Sequence, residues 1–184
     1  IAHRTIFEPL LRKIQTMQSL KNTSVLLLAT LVLLFGFISP SVAATSEEEV
    51  ADTILTLNNL AEQGDAKAQY VIAAIHQQLG QHHKAFELFE KSALQGNEGS
   101  QSKVGLMYYT GLGVRQDYFK AFDFSLKAAN KQMEASYLAV AVMYQQGQGV
   151  RQDYKKAKEW YGKSCDSGQQ SGCEGYRELN EQGY

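Results

Sequence analysis

The chain has 184 residues, 18 of them basic and 19 acidic, for a formal net charge of −1. That near balance excludes the basic face with which nucleic-acid binders displace counterions from phosphates. A length of this order is one domain's worth, enough to bury about two-thirds of the unfolded surface.

From the N-terminus, residues 1–16 precede Met17 and carry no assignable element; they read as a possible upstream extension. Lys21 then leads into Val25–Ile38, VLLLATLVLLFGFI, an unbroken apolar run. Ser39-Pro40-Ser41 closes it and Val42-Ala43-Ala44 supplies small side chains. A positive charge, a short apolar core, a breaker and a small-residue site together describe a secretory signal peptide over 17–44. A retained anchor is the competing reading, but spanning a bilayer takes about 20 apolar residues. Cleavage after Ala44 would remove Arg4, Arg12, Lys13, Lys21 and Glu8, leaving a more acidic chain over 45–184. The acidic run Glu47-Glu48-Glu49 is expected to favour a helix N-terminus through the macrodipole.

The rest of the chain repeats itself. Gly111-Leu112-Gly113-Val114-Arg115-Gln116-Asp117-Tyr118 recurs as Gly147-Gln148-Gly149-Val150-Arg151-Gln152-Asp153-Tyr154. Met107-Tyr108 and Met143-Tyr144 extend the match upstream. Lys120-Ala121 with Lys156-Ala157, and Phe124 with Trp160, extend it downstream. An earlier unit lacks four residues at the Gly-x-Gly-Val loop, so Gly80-Gln81 is expected to make a tighter turn.

Each unit reads as two helices. In 98–109, Val104 and Tyr108 share a face with small Ser100 and Gly105, where a neighbour must approach. Gly111 and Gly113, and later Gly147 and Gly149, end helices because glycine readily takes left-handed backbone angles. Asp117 and Asp153 are placed to cap the helices that follow. Ala121, Phe124 and Ala128, and later Ala157 and Trp160, form the buried stripes. A single such hairpin cannot bury its stripe alone, so an all-α right-handed superhelix is expected. The units read as a half unit 47–64, units at about 61–92, 93–128 and 129–164, and a C-terminal half unit 165–184.

These residues resemble the Sel-one-like repeat, a relative of the tetratricopeptide repeat. Tyr108, Gly111, Gly113, Val114, Asp117, Lys120-Ala121 and Phe124 follow the family pattern, and Tyr144, Gly147, Gly149, Val150, Asp153, Lys156-Ala157 and Trp160-Tyr161 follow it again. Val104 for Leu and Ser125 for Tyr depart from it, as does the first unit's lost loop. The resemblance covers about residues 53–184. It implies a scaffold or adaptor for proteins.

Cys165 and Cys173 are both in the part expected to be exported, where an even cysteine count reads as a disulfide. The pair resembles the bridge of the family's cysteine-rich secreted branch, which ties one unit's second helix to the next unit's first. Some members of that branch have been described as penicillin-binding or weakly β-lactam-hydrolysing. A β-lactam- or peptidoglycan-directed hydrolase is therefore the alternative function.

The chemistry that such an enzyme needs is sparse. Ser100-Gln101-Ser102-Lys103 matches S-x-x-K, but neither Ser-Asp-Asn nor Lys-Thr-Gly occurs. Ser100 also holds its unit's small packing position. His76, His82 and His83 lack the convergent ligand set that a metal needs. The Gly-x-Gly loops lack the preceding strand of a nucleotide fingerprint. No metal, cofactor, nucleic acid or membrane partner is expected after processing, and a monomer is.

The stronger functional signal is a surface. Counting from Val104, Gly105 and Tyr108, the concave positions are Tyr70, Ala74 and Gln77, then Ser102, Leu106 and Tyr109, then Leu138, Val142 and Gln145. Five are large and apolar or aromatic, the composition of a protein-binding patch if they are exposed. The sequence leaves open that a tight superhelix buries them. The expected function is an exported scaffold, periplasmic or secreted, that binds a protein or peptide through this groove.

Overall fold

A computed structural model describes residues 40–184, with side chains from Val50 onward. The upstream extension, the apolar run Val25–Ile38 and most of the expected signal peptide lie outside the described residues. The chain divides into two compact units, 1–55 and 56–184. The described part of the first belongs to helix α1, Pro40–Glu62. Here one expectation is corrected. Because α1 already includes Pro40, Glu47–Glu49 fall inside a helix, beyond the reach of its N-terminal dipole.

The second unit is a run of antiparallel helix pairs with no strand among the described residues: α2 Ala66–Gln78, α3 His82–Leu94, α4 Glu98–Thr110, α5 Tyr118–Asn130, α6 Tyr137–Gln146, α7 Tyr154–Asp166 and α8 Gln170–Glu181. Each helix packs on the next along the chain. The architecture is an all-α solenoid.

Local sequence explains the boundaries. Asp65 Oδ1 accepts from Ala68 N at 2.7 Å to start α2, and Asn97 Oδ1 accepts from Ser100 N at 2.8 Å to start α4. Asp117 Oδ1 accepts from the amides of Phe119 and Lys120 at 3.0 and 3.1 Å, and Asp153 Oδ1 from Lys156 N at 3.0 Å. Each such cap satisfies amides that the first turn leaves unpaired. α4 and α6 end on Gly111 and Gly147, both left-handed, at φ 74 and 70. The shortened turn Gly80-Gln81 joins α2 to α3 with Gly80 at φ 72.

One position breaks the pattern. Gly96 and Gly168 have positive φ, and between them in register stands Gln132, also at φ 64. A short 3-10 turn, Glu134–Ser136, follows it and leads into α6 in place of a side-chain cap.

The core runs along the stack between paired helices. Phe86, Phe89, Val104, Met107, Tyr108 and Phe124 centre one cluster; Val140, Ala141, Tyr144, Ala157, Tyr161 and Leu179 centre the next. Tyr108 meets Phe86 edge-on at 5.1 Å and stacks on Phe124 at 6.1 Å. Its hydroxyl donates to Glu90 Oε1 at 2.8 Å.

Candidate interaction surface

The first helices of the three pairs, α2, α4 and α6, carry the residues read as the groove. The structure places them at unequal depths. Leu106 is 51% exposed, the clearest apolar side chain of the set facing solvent. Tyr70, Tyr109, Leu138, Val142 and Gln145 are half-buried. Tyr70 lies 5.6 Å from Phe89, and its ring edge covers Gly99. Tyr109 leans on Tyr118, 5.5 Å between centroids. Leu138 and Val142 pack against the second core cluster. Gln145 accepts from the Tyr161 hydroxyl at 2.5 Å and gives its main-chain carbonyl to Gln152. The groove positions read from the repeat are uncharged and partly apolar, but their apolar side chains double as packing residues. Val71, on α2, adds a second exposed apolar side chain. The repeat arithmetic did not single it out, because its counterpart is Lys103.

The second helices present charge instead. Lys84, Lys120 and Lys156 recur in register, as do Glu87, Asp123 and Glu159, and then Lys91, Lys127 and Lys163. Lys120 and Lys156 sit over the rings of Tyr108 and Tyr144 at 5.1 and 5.3 Å. Lys127 and Lys163 sit over Phe124 and Trp160 at 5.4 and 3.8 Å. Their ammonium heads lie over the aromatic faces, the cation–π arrangement.

The loop glycines serve the stack. A Cβ on Gly113 would lie 2.4 Å from the His82 carbonyl oxygen, and one on Gly149 would lie 1.9 Å from that of Tyr118. The second glycine of each Gly-x-Gly loop thus lets a loop touch the main chain of the preceding pair. The sequence marked these glycines as helix stops; this contact is what it did not reveal.

Trp160 is half-buried, packed near Tyr137 at 5.8 Å, although its counterpart Phe124 is buried. Tyr161 is buried, as Phe89 and Ser125 are at the same register position, and Gly175 of α8 lies against its ring. Burial raises the pKa of Tyr161, and the Glu178 carboxylate adds to the shift. Burial raises Tyr108 as well, followed by its hydrogen bond to Glu90 and the charges of Glu90 and Asp117.

The S-x-x-K serine has no open face. Ser100 is fully buried and donates from Oγ to Ser92 Oγ at 2.7 Å, and Ser92 donates to the Ala66 carbonyl at 2.6 Å. Its hydroxyl ties α4 to the previous pair. The three histidines diverge: His76 Nδ1 pairs with Gln81 Oε1 at 2.7 Å, and His83 Nδ1 donates to the Gly113 carbonyl at 3.1 Å. Among the described residues no three His, Cys, Asp or Glu side chains gather to hold a metal. None of the described helices is long and apolar enough to cross a membrane. Cys165 of α7 and Cys173 of α8 are bonded to each other, with Cα atoms 4.5 Å apart.

Paired helices stacked through glycine loops define a helical repeat scaffold. The Sel1 repeat family profile matches residues 66–97, 99–133 and 135–169, each one helix pair. The chain belongs to the Sel1 repeat family. It is similar to a Sel1 repeat protein from Oxalobacter formigenes, 25% identical over 68% of this chain and 98% of that one, with a TM-score of 0.62. It also shows similarity to c5321, a protective antigen of uropathogenic Escherichia coli with an SLR fold: 24% identity, 65% of this chain, 34% of that one, TM-score 0.49. The Helicobacter pylori cysteine-rich protein B matches at 21% identity over 68% of this chain and 91% of that one, TM-score 0.49. No curated protein matches the chain.

Proposed function

We propose that this Sel1 repeat scaffold is exported and binds a protein partner through the face built by α2, α4 and α6. The observation that carries the reading is Leu106. It is half-exposed at mid-helix in α4, while Tyr70 of α2, Tyr109 of α4 and Leu138 and Val142 of α6 are half-buried. A partner that covers it gains an apolar anchor whose flanks are already ordered, which lowers the entropic cost of binding. The partner segment that suits such a face is an amphipathic helix or an extended peptide. Export is supported by the Val25–Ile38 pattern and by the Cys165–Cys173 bond, since disulfides persist in oxidising compartments. For the working organisation we propose the half unit 47–64, the units 61–92, 93–128 and 129–164, and the half unit 165–184.

A photo-reactive residue placed at position 106 tests the surface, with one at the exposed position 127 of α5 as control. The reading expects a discrete crosslinked protein from 106 and none from 127. Equal crosslinking from both would overturn it. Intact mass tests export: the mature chain is expected to begin at Ala44 or Thr45, and a retained Val25–Ile38 segment would refute that.

A further inference from the structure

We infer that the Gly-x-Gly-Val edge of the stack docks on an anionic lipid bilayer, with Phe119 and Leu112 entering the headgroup layer between a row of cations. This surface is separate from the α2–α4–α6 face and does not rest on it.

The near balance of charge over the whole chain conceals a separation between the two ends of the helices. At one edge lie the loops 111–117 and 147–153 and the first turns of α3, α5 and α7. This edge carries Lys84, Arg115, Lys120, Arg151, Lys155 and Lys156, all exposed, against Asp117 and Asp153. Both carboxylates are half-buried caps that accept from main-chain amides. Of these cations, among the described residues, Lys156 alone reaches a carboxylate, that of Asp153 at 4.0 Å. The opposite edge, built from the turns that join one pair to the next, has the other sign. There Glu62, Asp65, Glu98, Glu134 and Asp166 stand against Lys67 and Lys131.

Apolar side chains stand among the cations. Phe119, the second residue of α5, is 76% exposed, and Leu112 is 39% exposed. At the register of Phe119 the repeat has His83 and Lys155, and at that of Leu112 it has Gln148, so the fold accepts polar residues at both places. Phe119 is not left bare by a missing neighbour. The next pair is in place beside it, with Gly149 seated against the Tyr118 carbonyl and the Phe119 amide. The ring stays in water although the stack around it is complete.

These observations select the occupant. A side chain as exposed as Phe119 projects from the surface, whereas peptide recognition sinks its apolar anchors into a groove. Cations spread over three helix pairs, with an aromatic and an aliphatic side chain between them, match a flat anionic surface with an apolar layer beneath. Headgroups attract lysine and arginine, and the boundary with the acyl chains takes up phenylalanine and leucine. The acidic edge then faces away, so the charge separation also orients the stack on the bilayer. No spanning helix is involved. This departs from the sequence-based expectation of no membrane partner, because the side chains concerned belong to separate repeats and only the stack brings them to one edge.

The test uses the full chain carrying Trp160→Phe, phenylalanine being the residue of that register in the preceding pair. One tryptophan is then introduced as Phe119→Trp or, at the acidic edge, as Leu94→Trp, a position 74% exposed. Each chain is titrated with vesicles of phosphatidylcholine alone and of phosphatidylcholine with phosphatidylglycerol. The Phe119→Trp chain should show blue-shifted emission and protection from acrylamide on the anionic vesicles only, and the Leu94→Trp chain neither. Lys84→Glu, Arg115→Glu and Arg151→Glu together should weaken that response about a hundredfold or more, with an unchanged melting temperature. Salt at about 1 M, which shortens the screening length to about 3 Å, should weaken it without any substitution. No change at position 119, an equal change at 94, an equal response to neutral vesicles, or a response indifferent to both charge reversal and salt would each overturn the proposal. So would a response to soluble poly-glutamate without one to vesicles, which would assign the edge to an acidic protein segment instead.

Discussion

The junction around Tyr108 and the junction between α7 and α8 solve the same packing problem with different means. At the first, Phe86, Phe89, Met107, Tyr108 and Phe124 fill the space with large side chains. At the second, α8 buries only Gly172 and Leu179. Contact there comes from backbone approach: a Cβ on Gly172 would fall 2.5 Å from Ser164 Oγ, and one on Gly175 would fall 2.6 Å from the Tyr161 ring. Close approach of small residues removes little apolar surface from water, so it supplies little hydrophobic stabilisation. The disulfide lies at that junction, and in the chain-entropy model closing so short a loop is worth roughly 2.5 kcal/mol. The comparison teaches that the Tyr108 junction is held mainly by large side chains, while the α7–α8 junction adds close backbone approach and a covalent bond to a smaller buried set around Tyr161 and Leu179.

The largest effect should come from emptying the interior junction. Tyr108→Ala is expected to cost about 3–5 kcal/mol, measured by denaturant unfolding. A loss under about 1 kcal/mol would mean that the aromatic cluster is not the main source of stability. Reduction of Cys165–Cys173 should cost less, about 1–3 kcal/mol. Hydrogen exchange should then place the loosening in α8, leaving α3–α5 protected. Uniform loosening would erase the distinction between the two junctions.

Alkaline titration probes both at once. Tyr108 and Tyr161 have folded pKa values raised above the unfolded value, so the folded state keeps protons that the unfolded state releases. Their contribution is fully present below about pH 10 and is lost as pH rises beyond it, with a limiting slope of about 1.4 kcal/mol per pH unit while the folded Tyr108 stays protonated and the unfolded one does not. Tyr108→Phe should flatten that slope, read as urea midpoints between about pH 9 and 11. The smallest effect is expected on the open face: Leu106→Glu should change stability by no more than about 0.5 kcal/mol, seen as an almost unmoved melting temperature. A loss comparable to Tyr108→Ala would make Leu106 a core residue. Tyr109→Glu and Val142→Glu should cost more than Leu106→Glu, because both side chains already lean on the core clusters.

Much of this fold was legible because a repeat converts one motif into many registered positions. Gly111 with Gly147, and Asp117 with Asp153, could be assigned from spacing because their roles depend on local backbone. Depth was not legible in the same way. Leu106 and Val142 share a register but not an exposure, and Trp160 is half-buried where Phe124 is buried. Those outcomes depend on neighbours from other helices, such as Tyr137 beside Trp160, which a period of 36 residues does not encode. The glutamine at 132 is a further case. Gly96 and Gly168 stand at its repeat positions, yet only the backbone shows that Gln132 adopts their left-handed angle.

The glycine seats have a mechanical consequence. Where Gly113 meets His82 and Gly149 meets Tyr118, two main chains touch with no side chain between them. A side-chain contact can yield by changing rotamer, but a contact between backbones has no such freedom. Each seat therefore acts as a hard stop, fixing the closest approach of successive pairs whatever residues decorate them. Bending that compresses the loop side should meet a steep wall at these points, while bending that opens it should meet only the softer resistance of the cores.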